Sequence, residues 1–178
     1  MSKTVNAVYT IGHSTRTIKD FIELIKTYGI KVIVDVRTIA GSRHNPQYNE
    51  ESLNISLSKH NISYMRMKGL GGLRHTTKES LNKAWKNSSF RGYADYMQTL
   101  EFSKNIKKLI KIAKEKPIVI MCAEAVPWRC HRSLIGDALV IRGMKVIDII
   151  SEKNSILHKM TPFAQVKGQT ITYPEELL

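Results

Sequence analysis

The apolar residues of the chain fall into five short, almost unbroken segments, separated by longer stretches with helical spacing. Short segments rich in valine and isoleucine are typical of parallel strands that are buried on both faces. We predict strands over residues 5–11, 31–36, 62–67, 117–121 and 145–150. Residues 170–173 indicate a further edge strand near the end of the chain.

Between these segments the apolar side chains recur every three or four residues, which predicts helices. Thr17 begins the first helix as a capping residue, and Gly29 stands where a C-terminal cap belongs. Further helices are predicted over residues 50–60, 93–116 and 133–142. The alternation of strands and helices predicts an α/β fold, a mainly parallel sheet of about five strands with helices on both faces. We expect one domain over residues 1–178, with the tail 151–178 packed on it.

Composition excludes several classes of protein. The chain has 178 residues, of which 42% are hydrophobic and 24% charged, so it can bury a proper core and is not disordered. No apolar run approaches the roughly 20 residues of a membrane span, and the N-terminus lacks the apolar stretch of a signal peptide. We therefore expect a cytoplasmic protein. Two cysteines do not make a disulfide scaffold.

The formal net charge of +13 changes this picture, because such a surface attracts polyanions. Nucleic acid is the natural partner, and a phosphorylated small molecule is the second. The alternative is a lysine-rich surface without a function.

Polar or glycine residues directly follow four of the predicted strands. In open parallel sheets ligands bind beyond these carboxyl ends. We therefore expect the following residues to share one site: His13, Ser14, Asp35, Arg37, Gly71, Gly72, Cys122 and Glu124. The alternative is that strand ends simply turn polar where they reach solvent.

Asp35 interrupts an apolar strand, where an unpaired carboxylate would cost several kcal/mol. It therefore needs a partner, and Arg37 and His13 are the candidates. Such a pair can be functional, or it can only hold the loop.

Cys130, His131 and Arg132 precede a predicted helix. Backbone N–H groups at a helix start attract anions, and arginine binds phosphate or carboxylate with two hydrogen bonds. We expect an anion site there, with local capping as the alternative.

Cys122 follows a strand and precedes a loop and a helix, as in thiol-dependent phosphatases and sulfurtransferases. Arg129 comes one residue too late for the phosphatase loop, and Glu124 would repel an anion inside it. A small core residue is the alternative. A zinc site from Cys122, Cys130, His131 and His13 is less favoured, since the usual pair of cysteines two residues apart is missing.

No cofactor is predicted, because the glycine turn at residues 69–72 does not match the dinucleotide-binding fingerprint.

Basic residues alternate with aromatic ones between the third strand and the long helix. This pattern suits single-stranded or flipped-base nucleic acid, which is bound by phosphate contacts and stacking. The candidates are Lys68, Arg74, Lys78, Lys83, Trp85 and Arg91. The alternative places the aromatic residues in the core and the lysines in solvent.

Four segments together resemble a family. They are residues 11–14, 34–37, 70–72 and above all 122–132, with the sequence Cys-Ala-Glu-x-x-Pro-x-x-Cys-His-Arg. The chain is similar over residues 8–150 to the uncharacterised family called domain of unknown function 488. The resemblance implies a compact α/β domain and a shared polar site at the residues already selected, but no activity.

Three functions remain open. We favour an enzyme acting on a nucleotide or nucleic acid, with Glu124 or Asp35 as acid or base, His13 or His131 assisting, and Arg37 and Arg132 holding phosphate. The second is a nucleic-acid-binding module without catalysis. The third is thiol chemistry, such as sulfur or phosphoryl transfer, at Cys122.

Overall fold

All five predicted strands join one sheet in the computed structural model, which describes residues 6–176. Val5, where the first strand was predicted to begin, and positions 177–178 of the tail lie outside the described residues. The strands are β1 (Ala7–Gly12), β2 (Val32–Asp35), β3 (Ser63–Arg66), β4 (Ile118–Cys122), β5 (Lys145–Ile149) and β6 (Ser155–Leu157). Their order in the sheet is β3-β2-β4-β1-β5-β6, and every pairing is parallel except that of β5 with β6. The fold is therefore an α/β domain with one strand more in its sheet than predicted.

Five α-helices connect or cover the strands: α1 (Ile18–Thr27), α2 (Glu50–Ser58), α3 (Ser88–Tyr96), α4 (Leu100–Glu115) and α5 (Arg132–Val140). The sequence predicted one helix over residues 93–116, but the structure has two there. Thr99 is extended and its hydroxyl accepts the N–H of Phe102, so it begins α4 as a cap and ends the continuity with α3. None of the helices formed by the described residues has the length and apolar character needed to cross a membrane.

The end of the chain also differs from the prediction. Residues 170–173 were predicted as an edge strand of the sheet. Instead β8 (Thr170–Thr172) pairs with β7 (Gln165–Lys167) in a separate ribbon, and β6 forms the edge. The tail is nevertheless held to the domain, because Tyr173 is fully buried and donates its hydroxyl to Asp137 of α5.

Successive residues of the strands point to opposite faces of the sheet, so the sheet has two cores. Ile33 of β2 packs with α1 and α2, represented by Phe21 and Leu53. The next residue, Val34, packs with α4 and α5, represented by Leu109 and Leu134. Each large side chain fully buried in this way contributes about 1.5–3 kcal/mol to stability. Helices consequently cover both faces of the sheet.

The order of the strands fixes where a ligand can bind. From β1 the chain runs through α1 to β2 on one side, whereas from β4 it runs through α5 to β5 on the other side. After β1 the chain therefore crosses one face of the sheet, and after β4 it crosses the other face in the opposite direction. This arrangement creates a crevice outside their carboxyl ends, the usual ligand site of such sheets.

Candidate active site

A cavity of about 760 Å³ lies at the carboxyl ends of β1 and β4, within the usual size range of small-molecule sites. It contains seven of the ten residues that the sequence selected for catalysis or anion binding. These seven are His13, Ser14, Arg37, Gly72, Cys122, Glu124 and His131. Asp35, Gly71 and Arg132 are not part of its lining.

The loops after β1 and β4 are joined by backbone hydrogen bonds. The N–H of His13 donates to the carbonyl of Cys122 at 2.9 Å, and that of Ser14 to the carbonyl of Ala123 at 3.0 Å. A Cβ atom on Gly12 would lie 1.8 Å from the carbonyl oxygen of Glu124. Glycine is therefore required at position 12, since only it permits this close approach.

Asp35 has the partner that its burial requires, and the partner is Arg37 rather than His13. Nη2 of Arg37 lies 2.6 Å from Oδ2 of Asp35, and the hydroxyl of Tyr64 donates to the same oxygen at 2.6 Å. Burial works against the charged guanidinium, but the hydrogen bonds and charge of Asp35 outweigh it and raise the pKa of Arg37. Asp35 itself lies behind the cavity wall, where it positions Arg37 rather than facing a ligand.

His13 lies between Arg37 and Tyr48. Its ring stacks on that of Tyr48 with 4.0 Å between the centroids, and its Nδ1 lies 2.8 Å from the carbonyl oxygen of Ser14. We assign the proton to Nδ1, which leaves Nε2 free to accept from Nη1 of Arg37 at 3.4 Å. Burial lowers the pKa of His13 to about 4, so the ring is neutral at pH 7.

Cys122, Cys130 and His131 form a cluster in the wall of the cavity. One sulfur or nitrogen atom from each lies within 4.8 Å of the other two. Nδ1 of His131 is 3.6 Å from the sulfur of Cys130, while Nε2 is 3.0 Å from the carbonyl oxygen of Val36. Only a donor can satisfy that carbonyl, so Nε2 carries the proton and the lone pair of Nδ1 faces the sulfurs. Burial lowers the pKa of His131 and keeps the ring neutral.

Backbone N–H groups two residues further along the chain lower the pKa of both thiols. They are the N–H of Glu124 for Cys122 and that of Arg132, in the first turn of α5, for Cys130. The interaction between the two thiols lowers the pKa of Cys130 and raises that of Cys122. Of the two, Cys130 therefore loses its proton more readily. The sequence had selected Cys122 as the candidate nucleophile.

The glycine turn packs beside this cluster. A Cβ on Gly72 would lie 3.1 Å from Nδ1 of His131, and one on Gly71 would lie 2.8 Å from the hydroxyl of Thr38. The turn thus permits close packing against the histidine. This role differs from the ligand contact that the sequence suggested for Gly71, whereas Gly72 also lines the cavity.

Glu124 is the one carboxylate among the described residues that line the cavity, and its side chain is exposed. Its Oε1 accepts the N–H of Val126 at 3.4 Å, within the loop after β4. The carboxylate is held loosely and is open to solvent, as an acid or base that meets a substrate must be.

Arg132 does not face the cavity, contrary to the expectation from sequence. Only 1% of the residue is exposed. Its guanidinium donates to the hydroxyl of Thr10 and to the carbonyl of Glu124. Arg132 therefore holds the loop after β4 onto β1, and the exposed Arg129 is the arginine that lines the cavity beside Arg37.

The basic residues selected for nucleic-acid binding lie outside the cavity. Lys68, Lys78 and Lys83 are exposed, as phosphate contacts require. Trp85, however, packs on Phe90 with 4.8 Å between ring centroids.

The remaining contacts of this stretch are internal as well. Trp85 also meets Phe163 and Tyr173, so it is not a free stacking surface. The guanidinium of Arg74 lies 3.7 Å from the ring centroid of Tyr96, and Arg91 donates to the carbonyl of Trp85. The structure therefore favours a core role for the aromatic residues, which was the alternative at the sequence level.

Tyr93, Arg129 and Cys130 are among the lining residues that the sequence had not selected for the site. Cys130 directly precedes His131, and both follow Cys122 at the end of a buried strand. That clustering indicated a shared site, but the sequence did not favour it because the common zinc-binding spacing is absent. The sequence did not indicate Tyr93 as a site residue, because it belongs to α3 and lies far along the chain from the strand ends.

Comparison with known proteins finds one match. A family model described as "Domain of unknown function DUF488" covers residues 17–139, more than half of the chain. It includes the segments around Asp35, the glycine turn and Cys122 to Arg132, whereas residues 11–14 precede it. No curated protein and no solved structure matches the chain.

Proposed function

The chain belongs to the DUF488 family, and we propose that it is an enzyme acting on a nucleotide, a nucleic acid or another phosphorylated substrate. The observation that carries the proposal is the cavity at the crevice between β1 and β4. Candidate acid–base and ligand-binding groups from both strand ends line this one space. A site with these groups at this place in a parallel sheet is the default position for substrate.

The charges around the cavity favour an anionic substrate. Arg37 and Arg129 line it, and Glu124 is the single carboxylate that the described part of the chain contributes. The charge of Arg37 is balanced by Asp35, whereas Arg129 forms no ion pair with any described residue. The net charge of +13 draws polyanions towards the protein as a whole.

Glu124 is the group that we assign to acid–base catalysis. Within residues 6–176 it is the only carboxylate that lines the cavity, and it lies in the loop between the two cysteines. The neutral ring of His13 accepts from Arg37 and holds that guanidinium at the cavity wall. Asp35 acts through Arg37 as a positioning residue. The two free thiols suit a reducing compartment, so the proposal places the enzyme in the cytoplasm.

Glu124→Gln tests the proposal. Hydrolysis or transfer is measured on a panel of nucleotides, phosphorylated sugars and short single-stranded RNA and DNA. We expect turnover to fall by about 10²- to 10⁴-fold without a change in the melting temperature. Glu115→Gln, an exposed carboxylate at the end of α4, is the matched control and is expected to retain full turnover. Normal turnover by Glu124→Gln would show that Glu124 has been assigned wrongly.

The exposed lysines outside the cavity favour a second function, nucleic-acid binding without catalysis. Lys68, Lys78 and Lys83 project into solvent between β3 and α3. This alternative requires affinity that depends on these lysines and not on Glu124.

A further inference from the structure

We propose that Cys122, Cys130 and His131 bind one zinc ion whose remaining coordination position opens into the cavity. The three residues come from the end of β4 and the start of α5, and all three line the cavity. The role of the ion in catalysis rests on the proposed function, but the binding of the ion rests on the geometry of the ligands alone.

The separations within the cluster match those around a tetrahedral ion. Bonds of about 2.3 Å to sulfur and about 2.0–2.1 Å to nitrogen place a sulfur and a nitrogen ligand about 3.6 Å apart. The sulfur of Cys130 and Nδ1 of His131 are 3.6 Å apart. All three ligand atoms lie within 4.8 Å of one another, close enough to share one ion.

The groups around the ligands are arranged as metal sites require. A histidine ligand commonly donates its other N–H to a carbonyl, which fixes the ring orientation, and Nε2 of His131 does so to Val36. The contact with Val36 thus already holds His131 in the orientation that a metal ligand needs.

The types of ligand select zinc. Thiolate and imidazole together suit Zn²⁺, whereas Mg²⁺ and Ca²⁺ require oxygen ligands. His13, which the sequence offered as a further ligand, contacts Ser14 and Arg37 and is not part of the cluster. The described residues therefore supply three ligands, and three protein ligands with an open fourth position are characteristic of catalytic zinc.

The open position explains why Glu124 belongs to the same wall. A water molecule on zinc has a pKa of about 7, so it can lose a proton to a nearby carboxylate. In the hydrolysis of a phosphate ester, Glu124 would accept this proton, and the hydroxide oxygen would form a bond to phosphorus as the bond from phosphorus to the leaving oxygen breaks. Glu124 would then return the proton to the leaving oxygen. The reaction consumes one water and needs no oxidant or further reactant.

The experiment measures metal content directly. The full chain is purified with a thiol-free reductant, dialysed against metal-free buffer and analysed for zinc by mass spectrometry. Metal-free protein is then titrated with Co²⁺, whose thiolate charge-transfer absorption reports bound sulfur. We expect one zinc per chain and thiolate bands that saturate at one cobalt.

Cys122→Ser and His131→Gln test the ligands, and His75→Gln is the matched control. His75 is exposed and lies outside the cluster. Loss of a ligand is expected to weaken zinc binding by at least 100-fold, more than the roughly 10- to 100-fold cost of losing an outer hydrogen-bond partner. Cys130 is buried, so Cys130→Ser is used only if its thermal unfolding shows a folded protein. The cobalt titration of the unaltered protein does not depend on any variant.

Absence of thiolate bands in the reduced protein would overturn the proposal. Undiminished metal binding by both Cys122→Ser and His131→Gln would also overturn it, because the metal would then be bound elsewhere. If Cys122 and Cys130 form a disulfide and the reduced protein takes up no metal, the cluster is a site of thiol chemistry and not a zinc site.

Other outcomes separate the zinc site from the proposed function. If zinc binds but no substrate of the panel is turned over, the zinc site stands and the proposed substrates are wrong. Turnover that survives complete removal of zinc would remove the ion from the mechanism and leave the proposed function standing.

Discussion

Nε2 of His131 lies 3.0 Å from the carbonyl oxygen of Val36, and this contact turns Nδ1 of His131 towards the sulfurs of Cys122 and Cys130. Val36 directly follows β2, and His131 directly precedes α5. The neighbouring strand therefore orients the histidine before any ligand arrives. Residues after β2 and before α5 thus preorganise the cluster at the crevice.

Removal of zinc is predicted to lower the stability of the protein. An ion that binds the folded chain at 100 times its dissociation constant stabilises it by about 2.7 kcal/mol. At about 2–4 °C per kcal/mol for a chain of this size, a chelator should lower the melting temperature by about 5–11 °C. Calorimetry with and without chelator measures this shift. The Cys122→Ser variant serves as the control and should show no shift, and an equal shift in that variant would contradict the site.

Asp35→Asn is predicted to destabilise the protein by about 3–5 kcal/mol, because it leaves the buried Arg37 without its counter-ion. The two side chains are 0% and 5% exposed. Urea unfolding measures the loss. Glu50→Gln breaks the more exposed pair with Arg66 and should cost no more than about 1 kcal/mol. Equal losses in the two variants would show that the Asp35–Arg37 pair is no more important than a surface pair.

His158 is predicted to make the stability depend on alkaline pH. Burial opposes its charge, but Asp137 at 2.8 Å and Asp148 at 3.7 Å outweigh burial and raise the pKa to about 9. The folded value exceeds the unfolded value of about 6.5, so the stabilisation is complete below pH 6.5 and is lost as the pH rises through 9.

The size of this effect is about 3 kcal/mol, since each pKa unit corresponds to about 1.4 kcal/mol. Unfolding free energies of the protein and of His158→Gln are compared from pH 6 to pH 10, where the difference between them should shrink. Any effect of pH on other groups is common to both proteins. A constant difference would show that His158 is neutral in the folded state.

Lys78→Gln combined with Lys83→Gln is predicted to weaken nucleic-acid binding, if such binding occurs, and to reduce its dependence on salt. Loss of two phosphate contacts should lower the slope of log K against log[salt] by about 1.4 for single strands. Fluorescence anisotropy with labelled single-stranded RNA at several salt concentrations measures the slope. Lys107→Gln with Lys108→Gln, two exposed lysines on α4, is the matched control. An equal effect of both pairs would indicate attraction to net charge and no defined surface.

The pattern of apolar and polar residues along the chain was sufficient to predict most of the fold. Val32, Ile33 and Val34 could be assigned to a buried strand because a parallel strand covered on both faces has an unbroken apolar sequence. Local signals failed at Thr99, whose hydroxyl interrupts a helical pattern that otherwise continues through α3 and α4. They failed again at residues 170–173, since the choice of partner for a strand is not encoded in the strand itself.

The sequence by itself determined that polar residues such as His13, Arg37, Cys122 and Glu124 meet at one edge, because the carboxyl ends of parallel strands must do so. Only the tertiary structure decided what each residue faces. Arg132 is turned inward by Thr10, a residue 122 positions away along the chain. Nδ1 of His131 is turned towards the two sulfurs by a carbonyl 95 positions away. Orientation depends on partners that lie far apart in sequence and adjacent in space, and periodicity along the chain does not contain that information.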